Sequence, residues 1–124
     1  MATILVVDDD LDVHKLTTAV LREHGHDVLP ALSGGKALTI LERGFPVDLL
    51  LTDVVMPEMD GVTLSRRAEA LRPGLPTVFV SGYVDAVVLP MGANCRFVRK
   101  PWRAGTLVAA IDALLGGSAA PPVA

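Results

Sequence analysis

The 124-residue sequence contains a single cysteine, Cys95, so it can form neither an internal disulfide nor a zinc site built from several cysteines. It has no apolar run approaching the roughly 20 residues that a membrane-spanning helix needs. Its first residues lack the basic flank and apolar segment that are typical of a secretory signal peptide. From these absences we expect a cytoplasmic protein of a reducing compartment, with no membrane partner.

An excess of basic charge is also missing. Eleven Lys and Arg residues stand against 14 Asp and Glu residues, which gives a formal net charge of −3. Because proteins bind nucleic acids largely by neutralising phosphates with positive charge, we expect no nucleic-acid partner. The composition, 51% hydrophobic and 20% charged, is that of a globular chain, and the length fits one domain with one core.

Five short apolar runs alternate along the chain with segments of helical periodicity. They predict strands at Ile4–Val7, Asp27–Ala31, Asp48–Thr52, Thr77–Val80 and Arg96–Arg99. Nearly continuous apolar runs are typical of parallel strands that are buried on both faces. Joined by right-handed crossovers, such strands form a doubly wound α/β sheet with helices on both faces. Because Pro30 cannot donate to a ladder, we expect the second strand to lie at an edge.

The intervening segments predict amphipathic helices. The first has its apolar stripe at Val13, Leu16, Thr17, Val20 and Leu21 and ends near Gly25. The later stripes are Ala37, Leu38 and Leu41; Leu64, Ala68 and Leu71; and Leu107, Val108, Ile111, Leu114 and Leu115. Ser33 and Asp60 are the predicted N-caps of the middle two helices. We expect a short helix near residues 85–89, a domain over residues 1–116, and a flexible tail or linker over residues 117–124.

Polar side chains stand at the ends of four of the predicted strands. They are Asp8 and Asp9, then Asp53, Ser81 and Lys100. In an open α/β sheet, ligands bind beyond the carboxyl ends of the strands, so these residues should meet at one edge. Three carboxylates, a hydroxyl and an ammonium group suit a hard cation together with a phosphoryl group. The sequence therefore predicts one binding site at this edge.

Each of these residues has a plainer interpretation when it is taken alone. An aspartate after a strand is more often a helix cap than a ligand, and we assign Asp10 to that class as the cap of the first helix. Ser81 alone would be an ordinary turn serine. We interpret His14, His24 and His26 as surface residues of the first helix and of the turn after it. The joint pattern, rather than any one residue, indicates a site.

The same residues resemble the receiver domain of two-component response regulators. The loop from Asp53 to Gly61, with the sequence DVVMPEMDG, is particularly close to the phosphoacceptor loop of that family, and Lys100-Pro101 matches as well. The resemblance covers Thr3 to Leu115 and implies a flavodoxin-like fold with strand order 2-1-3-4-5. The surroundings of Ser81 and Lys100 resemble receivers attached to hybrid histidine kinases, or free-standing receivers that act beside them.

The resemblance implies an acceptor and a metal site. Asp53 would take a phosphoryl group from a phosphohistidine. Mg²⁺ would be held by Asp9 directly, by Asp8 mostly through water, by Asp53, and by the backbone carbonyl of Val55. The partner would be a histidine kinase or a histidine phosphotransfer protein, and the protein a monomer or weak dimer. It would be no enzyme beyond promoting its own phosphorylation and dephosphorylation.

The resemblance also implies a switch beside the acceptor. Ser81 would contact the acyl phosphate, Lys100 would pair with it, and Gly82 would leave room for it. The Lys100-Pro101 peptide is one that the family often holds cis. Phe97 matches an aromatic residue that swings inward behind the residue at the Ser81 position, although a plain core phenylalanine would explain it nearly as well.

Val55 and Tyr83 depart from the commonest pattern of the family. In many relatives, polar residues at these two positions help to place the hydrolytic water. An apolar Val55 and a bulky Tyr83 are expected to shield the acyl phosphate.

Two other functions fit part of the pattern. A Mg²⁺-dependent phosphohydrolase of the haloacid dehalogenase type would use Asp8 as nucleophile and Asp10 as acid, but Asp53 would then have no role. A binding module with the same fold and no phosphorylation would have no reason to keep all the site residues. Trp102 is left open, either packed against the last helix or exposed to a partner.

Overall fold

The protein is described by a computed structural model that covers residues 2–82 and 94–115. Five parallel strands form one sheet in the order β2-β1-β3-β4-β5. They are β1 Thr3–Val7, β2 Asp27–Ala31, β3 Leu49–Asp53, β4 Thr77–Ser81 and β5 Cys95–Arg99. The predicted strands, their order and the edge position of the strand with Pro30 are confirmed, and strand limits differ by at most one residue.

Four helices belong to the described residues, and none of them is long and apolar enough to cross a membrane. They are α1 Leu11–Glu23, α2 Gly34–Glu42, α3 Gly61–Leu71 and α4 Ala104–Leu115. The predicted N-caps are confirmed: the side chains of Asp10, Ser33 and Asp60 accept hydrogen bonds from backbone N–H groups at the starts of α1, α2 and α3. Tyr83, the predicted helix over 85–89 and the predicted tail over 117–124 lie outside the described residues.

Helices cover both faces of the sheet. One apolar cluster joins alternate strand residues such as Ile4 and Val6 to Leu21 of α1 and to Leu107 and Ile111 of α4. A second cluster joins the opposite strand residues to the inner faces of α2 and α3, with members Leu5, Val7, Ala37, Leu41, Leu64 and Ala68. Because both faces are buried, the strands carry continuous apolar runs rather than alternating ones.

The inner face of α1 differs from the predicted stripe. Its buried residues are His14, Thr17 and Leu21, whereas Leu16 is 59% exposed. His14 Nε2 lies 3.1 Å from the carbonyl oxygen of Val6 and donates to it, so the imidazole is buried against β1 rather than on the surface. The helix is therefore rotated from the apolar stripe because a buried histidine can satisfy its polar atoms there. Our prediction that His14 is a surface residue was wrong.

The last residue of the α3 stripe was also misplaced. Leu64 and Ala68 are buried as predicted, but Leu71 is 41% exposed. Gly61 takes the remaining buried position of this face, at the first residue of the helix. The buried stripe of α3 is therefore shifted towards its N-terminus, where the helix meets the end of β3.

The cap of α2 gives a test of the fold alone. Ser33 Oγ accepts the N–H of Lys36 at 3.2 Å, so Ser33→Ala leaves that donor without its protein partner. We expect the free energy of unfolding to fall by about 1 kcal/mol, measured by urea denaturation. Ser33→Asp keeps an oxygen acceptor at this position and serves as the control, with stability close to wild type. Equal stabilities for Ser33→Ala and wild type would contradict this role for the cap.

Candidate functional site

The predicted polar residues meet at the carboxyl edge of the sheet. Lys100 Nζ lies 3.1 Å from Asp53 Oδ2 and 3.4 Å from Asp8 Oδ2, so one ammonium group pairs with the ends of two strands. These residues are 47 and 92 positions from Lys100 in sequence. Because β1, β3, β4 and β5 run parallel, their C-terminal ends arrive together at this edge.

Three carboxylates form a cluster that fits a hard cation. Oxygen atoms of Asp8, Asp9 and Asp53 all lie within 4.8 Å of one another. Opposite ligands of an octahedral Mg²⁺ ion are about 4.2 Å apart, twice the Mg–O distance of about 2.1 Å. Asp8 is buried, Asp53 is half-buried and Asp9 is exposed, so a cation held here would keep a side open to water. Mg²⁺ prefers oxygen ligands and retains several waters, and this donor set suits it.

The carboxylate of Asp8 is oriented by the backbone. Its Oδ1 accepts the N–H of Asp10 at 2.9 Å, which directs Oδ2 towards Lys100. Asp10 Oδ1 in turn accepts the N–H groups of Asp12 and Val13 at 3.0 and 3.2 Å. The assignment of Asp10 to helix capping is therefore confirmed. Its carboxylate starts α1, while that of Asp8 faces the site.

The charges of the site are unbalanced. Three carboxylates surround one ammonium group, which leaves an excess of negative charge. Burial raises the pKa of the Asp53 carboxyl above its ordinary value, and the charge of Asp8 adds to this, although the hydrogen bond and charge of Lys100 oppose it. For Lys100, burial acts to lower the pKa, but the hydrogen bond and charge of Asp53 and the charge of Asp8 outweigh burial and raise the pKa.

The ends of β4 and β5 complete this edge of the sheet. Ser81 is buried as the last residue of β4, and its carbonyl accepts the N–H of Lys100 at 2.9 Å. The Lys100-Pro101 peptide is cis, as the resemblance implied. A Cβ built on Gly82 would lie 3.9 Å from Cβ of Lys100, an ordinary van der Waals contact, so this glycine lies directly beside the lysine. Phe97 is half-buried on β5, in register with the fully buried Phe79 of β4.

The loop between β3 and α3 is closed tightly against the end of β3. The N–H of Gly61 donates to the carbonyl oxygen of Val54 at 2.8 Å. The N–H of Val54 in turn donates to the carbonyl oxygen of Val80 at 3.0 Å. A Cβ on Gly61 would clash with the backbone oxygen of Asp53, so no other residue fits there without displacing the strand end. Val55, two residues beyond Asp53, has a side chain that is 57% exposed.

Gly61 was not singled out from the sequence, although a signal for its role was present. A glycine directly after the N-cap Asp60 is a poor helix former, so its presence points to a steric reason.

The position of Trp102, which the sequence left open, is settled by its packing. Trp102 is partly buried and packs against the cluster formed by β1, β3, β4, α1 and α4. Together with Thr17 and Val80 it lines a small pocket that Asp8 and Asp53 also line. Trp102 therefore packs against the core cluster that includes Leu107 and Ile111 of α4.

Proteins with similar sequences and structures include a response regulator receiver protein and the receiver domain of a hybrid histidine kinase. The chain is 34% identical over 118 residues to the response regulator receiver protein CpdR of Brucella abortus (strain 2308), covering 93% of this chain and 98% of CpdR. It is 39% identical over 118 residues to the sensor kinase CckA of the same organism, covering 92% of this chain but only 12% of CckA. The crystal structure of the receiver domain from hybrid histidine kinase CckA matches with a TM-score of 0.78 and 35% identity, covering 91% of this chain and 98% of that chain.

The chain thus spans nearly the full length of one relative and a small part of the other. The family model for the response regulator receiver domain matches residues 4–112, which include every residue of the acidic cluster and Lys100. Sequence, fold and comparisons agree, and this chain belongs to the response regulator receiver domain family, the signalling module of two-component systems.

Proposed function

We propose that Asp53 accepts a phosphoryl group from a phosphohistidine, supplied by a histidine kinase or a histidine phosphotransfer protein. The observation that carries this proposal is the ammonium of Lys100, 3.1 Å from the Asp53 carboxylate within a cluster of three carboxylates. A carboxylate attacking a phosphoryl group brings two anions together, so positive charge must lie where negative charge accumulates. Lys100 supplies such charge from the side of β5.

The acidic cluster would hold the second source of positive charge. Asp9 and Asp53, with the backbone carbonyl of Val55, are the proposed direct ligands of Mg²⁺. Asp8 contributes mostly through water, because one of its carboxylate oxygens accepts the N–H of Asp10 and the other faces Lys100. When bound, Mg²⁺ neutralises charge on the transferring phosphoryl oxygens.

The remaining residues would convert phosphorylation into a change of shape. Ser81 ends β4, where its carbonyl accepts the N–H of Lys100, and we propose that its hydroxyl donates to the phosphoryl group. Phe97 follows on the neighbouring strand, half-buried, and is the aromatic side chain that we propose to repack when Ser81 moves. The free energy for this change comes only from the difference in phosphoryl contacts between the two states.

The phosphohydrolase alternative is disfavoured by the geometry of Asp10. Its Oδ1 accepts two backbone N–H groups at the start of α1, so this oxygen is occupied and the side chain caps a helix. Asp53, which would have no role in that reaction, instead pairs with Lys100. The module without phosphorylation would have no use for a cluster of carboxylates that repel one another.

Phosphorylation of Asp53 is tested by incubation with acetyl phosphate and Mg²⁺. Intact mass spectrometry is expected to show one phosphoryl adduct on the wild type and none on Asp53→Asn. Asp12→Asn, which removes an exposed carboxylate outside the cluster, should react like the wild type. The adduct is expected to be lost in acid and base, as an acyl phosphate is. An acid-stable adduct, or one that persists in Asp53→Asn, would contradict the proposal.

Burial of the Asp53 carboxylate, together with the nearby charge of Asp8, predicts a stability effect of Asp53→Asn without metal. The pKa of Asp53 is raised in the folded state, so ionisation of this group destabilises the fold as pH rises from 3.8 through that raised value. At neutral pH without Mg²⁺, we expect Asp53→Asn to unfold at higher urea than wild type. The difference should shrink at acid pH, where Asp53 is protonated.

Added Mg²⁺ is expected to stabilise the wild type by about 2.7 kcal/mol at a concentration 100 times its dissociation constant. The same addition should stabilise Asp53→Asn less, because a ligand is lost. Equal stabilisation of both proteins would show that Asp53 is not part of the metal site.

Val55 is expected to slow hydrolysis of the acyl phosphate. Its side chain is exposed beside the acceptor, and a valine offers no hydrogen bond to a water molecule. We predict that Val55→Asn loses its phosphoryl group faster than the wild type, measured from the decay of the mass adduct. Val55→Ile keeps the position apolar and should decay at the wild-type rate. Identical rates for Val55→Asn and wild type would rule this out.

A further inference from the structure

The first turn of α2 begins with two adjacent glycines in very different surroundings. A Cβ built on Gly34 would lie 2.8 Å from Sδ of Met59 and 3.2 Å from both its Cβ and Cγ. A Cβ built on Gly35 would meet nothing within 4 Å. Gly34 is buried and Gly35 is exposed. The missing side chain of Gly34 therefore provides the surface on which Met59 lies.

Rotating the end of the Met59 side chain would relieve the contact with Sδ, but the Met59 Cβ, at 3.2 Å, would still have to move by a few tenths of an ångström. Its backbone is also constrained, since its N–H donates to the carbonyl of Pro57 at 2.7 Å. Between these two residues, Glu58 has a φ of 69°, an uncommon conformation for a residue with a side chain. A methyl group at Gly34 would thus shift the backbone of the loop slightly at Met59, and not only the end of a side chain.

The displaced loop is the one that carries the acceptor. Residues 54–61 are closed by the hydrogen bond from the Gly61 N–H to the Val54 carbonyl, and Gly61 packs against the backbone oxygen of Asp53. The carbonyl of Val55 lies in the same closed loop. A shift of Met59 would therefore also move the backbone of Asp53 and Val55.

We propose that Gly34 is a positioning residue for phosphorylation: it gives Met59 the space that holds the acceptor loop, with Asp53 and the Val55 carbonyl, in place. This inference rests on the proposed function, in which Asp53 is the acceptor. Residues that support a metal ligand without touching the metal change affinity or activity by roughly 10–100-fold when they are altered. Gly34 acts in the same way, through packing rather than a hydrogen bond.

Gly35 offers a matched control in the same helical turn. Alanine is favoured over glycine in helices by up to about 1 kcal/mol, and both substitutions share this gain. Gly34→Ala and Gly35→Ala therefore differ mainly in the contact with Met59. Met59→Ala removes the side chain that would clash, so the double variant Gly34→Ala/Met59→Ala tests whether this contact is the cause.

The experiment compares these four variants with the wild type. Phosphorylation by acetyl phosphate is followed by mass spectrometry, Mg²⁺ affinity by thermal shift, and the conformation of residues 54–61 by amide NMR shifts without metal. We expect Gly34→Ala to be phosphorylated about tenfold more slowly and to bind Mg²⁺ more weakly, with shifted loop amides. Gly35→Ala should stay near wild type. Met59→Ala sets the baseline for loss of the Met59 side chain, and the double variant should match Met59→Ala rather than add the Gly34→Ala defect to it.

Two results would overturn the inference. One is a Gly34→Ala protein that reacts and binds Mg²⁺ like Gly35→Ala. The other is a double variant that stays as impaired as Gly34→Ala while Met59→Ala is active, which would place the defect in α2 itself. If the wild type were not phosphorylated at all, the proposed function would fail, whereas loop amides that shift in Gly34→Ala and return in the double variant would still support the positioning role.

Discussion

Repulsion among three carboxylates at one edge of the sheet is the constraint on which the rest of this structure depends. Asp8, Asp9 and Asp53 come within 4.8 Å of one another, and the single ammonium of Lys100 compensates only part of their charge. The site costs folding free energy at Asp53, because burial and, less strongly, the charge of Asp8 disfavour its ionised form. The cluster is therefore best explained as a site prepared for positive charge that arrives with a ligand.

The fold supplies the rigidity that keeps this repulsion from opening the site. Strands buried on both faces fix the places where β1 and β3 end, and two packed clusters hold them from either side. The backbone then restricts the side chains further. Asp8 accepts the N–H of Asp10, and Gly61 brings the start of α3 against the oxygen of Asp53. Each constraint is local, but together they keep acidic groups close that would separate in a looser structure.

Features set by local sequence were predictable, whereas features set by distant packing were not. Apolar runs and cap residues such as Ser33 and Asp60 lie within a few positions of what they determine, so strands and helix starts were predicted to within about a residue. The buried face of α1 was not predicted because it includes His14, whose ring N–H donates a hydrogen bond to the carbonyl of Val6 in β1. The acidic cluster was predicted because the ends of parallel strands must converge. The packing contact between Met59 and Gly34 was not, because it joins residues 25 positions apart without any periodic signal in the sequence.

The two sides of the site differ in how they can respond to a phosphoryl group. On the side of β3, the acceptor loop is closed by Gly61 and supported by Gly34, so moving Asp53 would disturb α2 and α3 together. On the side of β4 and β5, Lys100 reaches the site through a long side chain, which can move without breaking the pairing of the strands. A conformational change is expected where altering the contacts costs the least free energy. We therefore infer that Asp53 stays fixed while Ser81 and Lys100 move. Phe97, half-buried on β5 and in register with the fully buried Phe79 of β4, is the side chain that we propose to repack in response.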